Sequence, residues 1–583
     1  MMNRVAIFVR YGLFAVGLTI CFTGAATGVS LSPARLNFGN SPQVVKVSNS
    51  GSTTLRLGRS RIVGANARDF SMTTTCGSVL SAGADCTVSI SFAPTASGAR
   101  SASLRFDDDL GASPQAVSLT GTGQFMALSA DRTHLVNTFT NKPVFISGDT
   151  AQDLSVQLCK DSDVDRYLAN RAAKHMNAIW VFLIDIIQHD GKGGIQNDCS
   201  GNNPWNGGAD FTGMDNAIAY WAHADYVLQR AAAYGITVLA GTAFHGSFDD
   251  CSIRYFASME KTSDATLTAY GAFLGNRYKS YPNIIWLHGG DANPSLCGSD
   301  VTQKEGAIAR GIMSADPIHL MAIESTNNQW GEASATNWAP FTFSTSAPNG
   351  WLTLGTIYPK GLPATTFSKE IAHIVSQNVT ETGASAFVPY FSIEDPYEYE
   401  PYEAPYTVEQ LRQQGYTEVL SGAYLGRLFG SSGVWPFGAT CCQHGPTWQV
   451  NMDHPASFDQ QRLGDLFRSR EHWRMVADLN HTVVTAGFGS GANLAVTSRT
   501  SDGQTIIAYI PNGNAATLTV DMTRITSAIH EATCWWYNPS SGAATLIGSY
   551  ANSGTRVFTA PDSNDWVLVI DDASASLPAP GSP

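Results

Sequence analysis

Charge is scarce in this chain. Asp, Glu, Lys and Arg together make up 14% of its 583 residues, against roughly 25% in an average soluble protein. The 35 basic residues are outnumbered by 48 acidic ones, a formal net charge of -13, and nowhere do Lys and Arg gather into a run or a basic helix face. A polyanionic partner such as nucleic acid therefore lacks its electrostatic footprint. No internal period of about 20–50 residues recurs, which argues against a repeat architecture. Beyond Gly28 no apolar run is long enough to span a bilayer as a helix. The G-x-S-x-G, H-E-x-x-H and P-loop signatures are missing. Cys441, Cys442 and His444 have no second Cys/His pair nearby at zinc spacing, so neither a metal nor another cofactor is expected.

What is there begins with MMNRVAIFVRYGLFAVGLTICFTGAATG, in which Arg4 and Arg10 precede a short apolar core and small residues near Ala26 and Gly28. That is the layout of a cleaved export signal over residues 1–28. A retained anchor would want a longer apolar span, and Ile20 is bulky for a lipoprotein site at Cys21. A secreted or periplasmic bacterial protein is expected, with cell-surface attachment left open. Ten cysteines less Cys21 leave nine, an odd number in a compartment where disulfides persist. Cys76 and Cys86 flank a hairpin and make the best local pair. Cys159, Cys199, Cys251 and Cys297 are expected to pair among themselves, and at least one cysteine stays outside any intrachain bond.

The 54 glycines and 43% hydrophobic content suit strand-rich packing with many turns. Over residues 29–124 short alternating segments such as VVKVSNSG, CTVSISFAP and AVSLTGTG predict a β-sandwich; the run Asp107-Asp108-Asp109 reads as a solvated turn rather than a calcium site. Over 125–475 the rhythm changes to strand, helix, strand. Strand candidates are PVFISGD (143–149), NAIWVFLID (177–185), ITVLAGTAF (236–244), NIIWLHGGD (283–291), HLMAIEST (319–326), TLGTIYPKG (353–361), FVPYFSIED (387–395) and GVWPFG (433–438). Eight such alternations predict a (β/α)8 barrel. Residues 476–573 predict a second β-sandwich, and 574–583 a disordered tail.

In a barrel of this kind chemistry gathers where the strands end, and polar residues crowd those ends: Asp149, Asp185, His245, Asp291, Glu324, Tyr358, Glu394 and Trp435. Hydrolysis of a glycosidic bond needs two carboxyl groups, one protonated to help the leaving oxygen depart and one ionised to attack or to activate water. Asp291 and Glu394, at the ends of strands four and seven, fit that need. The competing reading of Asp291 is a cap on the DANP turn. That of Glu394 is one charge in an acidic loop shared with Asp395, Glu398, Glu400 and Glu403. Gly289 and Gly290 would let a sugar ring approach the backbone beside Asp291. Among Trp205, Trp330, Tyr358, Tyr397 and Trp435, the last and Tyr397 are the favoured sugar platforms. His245, His288, Asn293, Glu324, Tyr358 and Glu398 are further candidate substrate contacts. A carbohydrate- or matrix-binding adhesin on a barrel scaffold is the alternative, and it would not need both acids. The oligomeric state is not legible.

Several stretches occur in an order that resembles the apiosidase-like glycoside hydrolases related to glycoside hydrolase family 140: NKPVFISGDTAQDL, YLANRAAKHMNAI, NPWNGGADF, NIIWLHGGDANP, IEDPYE and GYTEVLSGAYLGRLFGSSGVWPFG. After them CWWYNPSSGAATLIG and FTAPDSNDWVLVI are similar to the collagen-binding-type domain that commonly follows that barrel. The resemblance implies a polysaccharide or oligosaccharide substrate, release of a pentose such as apiose, Asp291 as acid/base, Glu394 as nucleophile and Asp149 as a contact to a substrate hydroxyl. The family's E-P-x-Y-E is here Glu394-Asp395-Pro396-Tyr397-Glu398, with the proline displaced by one. That displacement keeps Glu398 open as the alternative nucleophile. Residues 29–124 resemble the immunoglobulin-like ASPM/SPD-2/Hydin repeat, which implies an accessory module.

Overall fold

The computed structural model describes residues 28–38, 42–110, 113–184, 197–244, 255–290, 302–325, 350–357, 389–394, 396–399, 406–438, 445–512 and 516–582. The chain divides into two compact units, one built from Met1–Leu36, Pro42–Ser91 and Ala102–Leu119, the other chiefly from Thr120–Pro583. In the first, strands Val29–Ser32, Gln43–Asn49, Asp85–Phe92 and Phe70–Thr74 form one sheet. The alternation that marked them in sequence is a burial alternation: Val45, Val47, Val88 and Ile90 are buried while their neighbours face out. A Cys76–Cys86 disulfide ties the preceding loop to this sheet.

The second unit holds the barrel. Its strands are β1 (Ile146–Thr150), β2 (Ala178–Phe182), β3 (Thr237–Gly241), β4 (Ile284–Gly290), β5 (Leu320–Ser325), β6 (Gly355–Ile357), β7 (Tyr390–Ser392) and β8 (Gly426–Phe429). They lie side by side in the order β5-β4-β3-β2-β1-β8-β7-β6, each pair parallel. Closure comes between β5 and β6, where Leu354 N donates to Met321 O at 3.0 Å and Thr356 Oγ1 to Ile323 O at 2.5 Å. The long apolar runs are explained by burial on both faces. Ala178, Trp180, Phe182, Leu239, Ile285, Leu287, Ala322 and Leu428 fill the barrel, while the alternate residues Ile179, Val181, Val238, Ala240, Trp286 and Ile323 pack outward on the helices. Met126, Leu128 and Leu135, from a small sheet leading into β1, join the inner cluster and close the amino end of the barrel.

The helices bearing on the site are α1 (Asp161–Ala173), α2 (Ile218–Ala233), α3 (Asp264–Tyr278), α4 (Thr302–Ala315), α5 (Val408–Ser421) and α6 (Pro455–Arg468). Helix α5 starts at a capping box, Thr407 with Gln410, the T-x-x-Q pattern that satisfies two orphan amide donors at once. Cys159 and Cys199 form a disulfide, Cys534 is buried and free, and Cys251 and Cys297 lie outside the described residues. Among the described residues no helix is long and apolar enough to cross a membrane.

The eighth strand is a correction. GVWPFG is not a strand; it is a turn that follows β8, and the strand is the preceding GRLF. Arg427 made that run look polar, yet its guanidinium is buried on the outer face, where Nη1 donates to Gln460 Oε1 at 3.1 Å and Nε lies 3.5 Å from Glu418 Oε2.

The C-terminal sandwich packs directly on α5 and α6. Tyr416 stacks on Tyr509 with centroids 4.8 Å apart, and Leu463, Leu466 and Phe467 share a core with Ile507, Val567 and Val569. Arg412 on α5 and Arg470 each grip a sandwich aspartate, Asp565 and Asp571. The last residues, expected to be disordered, are docked instead: Pro578 O accepts from Arg470 Nη2 at 3.0 Å, and Gly581 N donates to Ser469 Oγ at 3.1 Å.

Candidate active site

Strand β4 ends at Gly290, so Asp291 and Asn293 lie just outside the described residues, as do His245 and Tyr358. What β4 does show is the role of Gly289. Its φ is +92°, and a Cβ there would stand 1.8 Å from the Glu324 carbonyl oxygen. Gly289 is thus a glycine so that β4 and β5 can meet at their ends. The expectation that it makes room for a sugar is corrected by this contact. Glu324 itself is fully buried and alternates with Leu320 and Ala322, whose side chains line the barrel interior; it therefore faces inward at the carboxyl end of β5.

Glu394 follows β7 by two residues and is buried, 2% exposed. The chain past it is tightly held. Glu398 N donates to Gly430 O at 3.2 Å and Ser432 N to Glu398 O at 2.9 Å, so the segment continues the sheet beside β8. Tyr397 lies flat over Gly430, where a Cβ would come within 2.1 Å of its ring, and its hydroxyl accepts from Gln152 Nε2 at 3.2 Å. It is 2% exposed, which makes it packing for the loop and corrects its assignment as a sugar platform.

The Glu398 carboxylate is turned away from the chain's own strand toward α6. Its Oε1 accepts a hydrogen bond from His454 Nδ1 and another from Ala456 N at 3.2 Å. Helix α6 begins with Pro455 behind His454, and that N-cap supplies no side-chain acceptor of its own; Glu398 fills the vacancy, where the positive end of the helix favours an anion. The hydrogen bond to Glu398 raises the His454 pKa, against the opposing effect of burial and with the help of the glutamate's charge. Glu398 Oε2 is buried with no hydrogen-bond partner among the described residues.

Two further expectations meet a different environment. Asp149 alternates with the inward Ile146 and Gly148 positions and points to α1, where its Oδ2 accepts from Tyr167 Oη at 2.6 Å and Arg171 Nε at 2.7 Å. Burial alone would depress the Arg171 pKa, but the Asp149 charge outweighs it. The pair ties β1 to its helix, so Asp149 is corrected from substrate ligand to internal counter-ion. His288 also faces outward: Nδ1 lies 3.0 Å from Glu305 Oε2 on α4, and the ring packs on Trp351. It anchors β4 to α4 and does not enter the barrel mouth. Trp205 is wholly buried among Phe211, Tyr255 and Tyr270. Trp435 differs from these. It packs on the inner barrel cluster yet stays partly exposed.

Sequence reasoning missed His454 and Gln152. A signal for the first was present: His-Pro opening a helix with no Ser, Thr, Asp or Asn at the cap implies an acceptor brought from elsewhere.

A closed parallel barrel with buried carboxylates where β5 and β7 end belongs to the class of (β/α)8-barrel glycoside hydrolases. Residues 129–474, more than half of the chain, match the family model "Apiosidase-like, catalytic domain". The chain belongs to this apiosidase-like family and is a glycoside hydrolase. Residues 480–571 match "Putative collagen-binding domain of a collagenase". A solved structure titled "Glycoside hydrolase" is similar at 20% identity and TM-score 0.63, over 78% of this chain and 98% of its own. A family 5 glycoside hydrolase from Bacteroides vulgatus is similar at 20% identity and TM-score 0.63, over 77% and 94%. At that identity the likeness speaks for the fold. No curated protein matches the chain.

Proposed function

We propose that this glycoside hydrolase is a retaining enzyme that removes a pentosyl, apiose-like residue from plant or microbial polysaccharide, with Asp291 as acid/base and Glu394 as nucleophile. In this reading protonated Asp291 gives its proton to the departing glycosidic oxygen while Glu394 attacks the anomeric carbon. Asp291, now ionised, then takes a proton from the water that releases the sugar. A retaining pair stands about 5–5.5 Å apart, close enough for the charge of Glu394 to hold Asp291 protonated between turnovers.

The observation that carries Glu394 over Glu398 is the state of Glu398 Oε1, already taken by His454 and the α6 amide. Those two bonds direct the Glu398 carboxylate toward α6, whereas Glu394 stands directly after β7, where acids of a barrel mouth are placed. The pentosyl specificity rests on the family match alone. The test is hydrolysis of a panel of aryl pentosides, aryl hexosides and apiose-bearing pectin fragments by wild type, Asp291→Asn and Glu394→Gln, with the product anomer read by NMR. The reading expects cleavage of a pentoside with retention, and losses of 10³-fold or more in both variants. Full activity in Glu394→Gln, or an inverted product, contradicts it.

Export is part of the proposal. Two disulfides, Cys76–Cys86 and Cys159–Cys199, suit an oxidising compartment, and residues 1–28 supply the signal. Intact mass of the protein recovered outside the cytoplasm should correspond to a chain starting near Val29; a full-length mass is the contrary result.

A further inference from the structure

The loop after β7 is pinned from three sides. Glu398 binds His454 and the first turn of α6. Tyr397 is seated on Gly430 and held by Gln152. Tyr399, a bulky residue at φ +60°, packs its ring 5.1 Å from the His454 imidazole. Aromatic residues with positive φ are rare and persist where surroundings impose the conformation. Here the surroundings are His454, which lies between a carboxylate and an aromatic face. Both neighbours favour the imidazolium form, the first by charge and the second by its ring quadrupole.

We propose that Glu398 and His454 are a positioning pair for the reaction: with His454 protonated, they hold the chain at Tyr397–Tyr399 so that the Glu394 carboxylate is aimed at the anomeric carbon. This rests on Glu394 being the nucleophile. Neither residue of the pair touches the reacting atoms. Their action is mechanical and electrostatic, exerted on Glu394 through the chain that joins it to Glu398. Loss of the second imidazole proton removes the charge from the bond to Glu398 and from the contact with Tyr399. The loop then relaxes, and activity falls on the alkaline side as His454 titrates.

Among the described residues, the groups able to set that titration are few. Glu398 and Tyr399 face the ring from the loop. Asp453, next in the chain, is committed to Lys174 Nζ at 2.6 Å. Glu398 is the charged group that acts on His454. Burial and the Glu398 charge in turn raise the Tyr399 phenol, so it stays neutral over the range in which His454 changes charge.

The experiment compares kcat and KM against pH for wild type, His454→Gln and Glu398→Gln on whichever aryl glycoside the wild type cleaves. In parallel the His454 imidazole is titrated by NMR in the full-length protein. Glutamine at 454 keeps a donor for Glu398 but cannot titrate. The expected result is a kcat lowered roughly 10- to 100-fold, the cost of a misplacement on the order of 1 Å. KM should stay near wild type, and the alkaline limb should lose the titration seen in wild type. The NMR titration should place His454 above the ordinary histidine range, and Glu398→Gln should bring it back. A wild-type kcat and an unchanged alkaline limb in His454→Gln overturn the proposal, as does an ordinary His454 titration in the wild type. If instead Glu394→Gln is fully active, it is the nucleophile assignment that fails, and the NMR titration still reports on the pair.

Discussion

Arg412 offers the sharpest test of how the barrel and the C-terminal sandwich hold each other. Its Nε and Nη2 donate to Asp565 at 2.6 and 2.7 Å, and its Nη1 to Asp459 at 2.7 Å. All three side chains are nearly buried. Replacing Arg412 by Met keeps the volume but strips three charge-assisted hydrogen bonds from two buried carboxylates. Breaking a buried ion pair from one side costs about 3–5 kcal/mol, most of it the stranded charge. Two donors survive, Tyr509 Oη on Asp565 at 2.9 Å and Arg462 Nη1 on Asp459 at 2.8 Å, which places the expected loss near the lower limit, about 3 kcal/mol. That is more than a hundredfold in the folding equilibrium. Guanidinium unfolding followed by tryptophan fluorescence measures it at neutral pH. The double variant Arg412→Met/Asp565→Asn should recover at least about 1 kcal/mol, because the neutral amide no longer strands a charge; additivity in this cycle would mean no coupling. A loss under 1 kcal/mol for the single variant refutes the reasoning.

Three further outcomes follow from the same geometry. Burial pushes the Glu418 carboxyl up to about 8, with Gln414 and Ser392 pulling it back. A raised acid contributes stability that is complete below its ordinary value of 4.5 and is lost as pH rises through 8. The ceiling is roughly 5 kcal/mol, reduced by the nearby Arg427, and Glu418→Gln should abolish the decline between pH 5 and 9; an unchanged decline on urea titration contradicts this. Gly289→Ala forces a methyl against the Glu324 carbonyl in a left-handed conformation and should cost at least about 2 kcal/mol together with activity, measured by thermal unfolding and turnover; a neutral effect denies the close contact. Trp435→Ala should raise KM roughly tenfold, about 1.4 kcal/mol of binding, with a smaller change in kcat; an unchanged KM removes Trp435 from the substrate site.

The parts of the fold that sequence made visible are those governed by local pattern. Strands buried on both faces appear as apolar runs, clearest in β2, β3 and β4, and the other strands up to β7 were found on the alternation with helices. Strand β8 escaped because Arg427 interrupts it, and the partners that make a buried guanidinium tolerable, Gln460 and Glu418, come from distant helices. The same limit governed the site. An acid at a strand end looks the same in sequence whether it faces the barrel mouth or the helix layer. Asp149 went to the helices because Tyr167 and Arg171, one turn apart on α1, wait there as donors. That i, i+4 donor pair was legible in YLANR and went unused. For Glu398 the deciding partner, His454, lies 56 residues on, beyond any local pattern. Gly289 of LHGGD, expected to admit a sugar ring, instead admits the neighbouring strand.

The central claim is that Glu394 forms the covalent bond to the sugar. Intact-protein and peptide mass spectrometry after incubation with a 2-deoxy-2-fluoro analogue of the cleaved glycoside measures it directly. The account predicts one glycosyl adduct per chain, carried on Glu394 and absent from Glu394→Gln. An adduct on Glu398 would contradict it, as would an inverted product with no adduct at all.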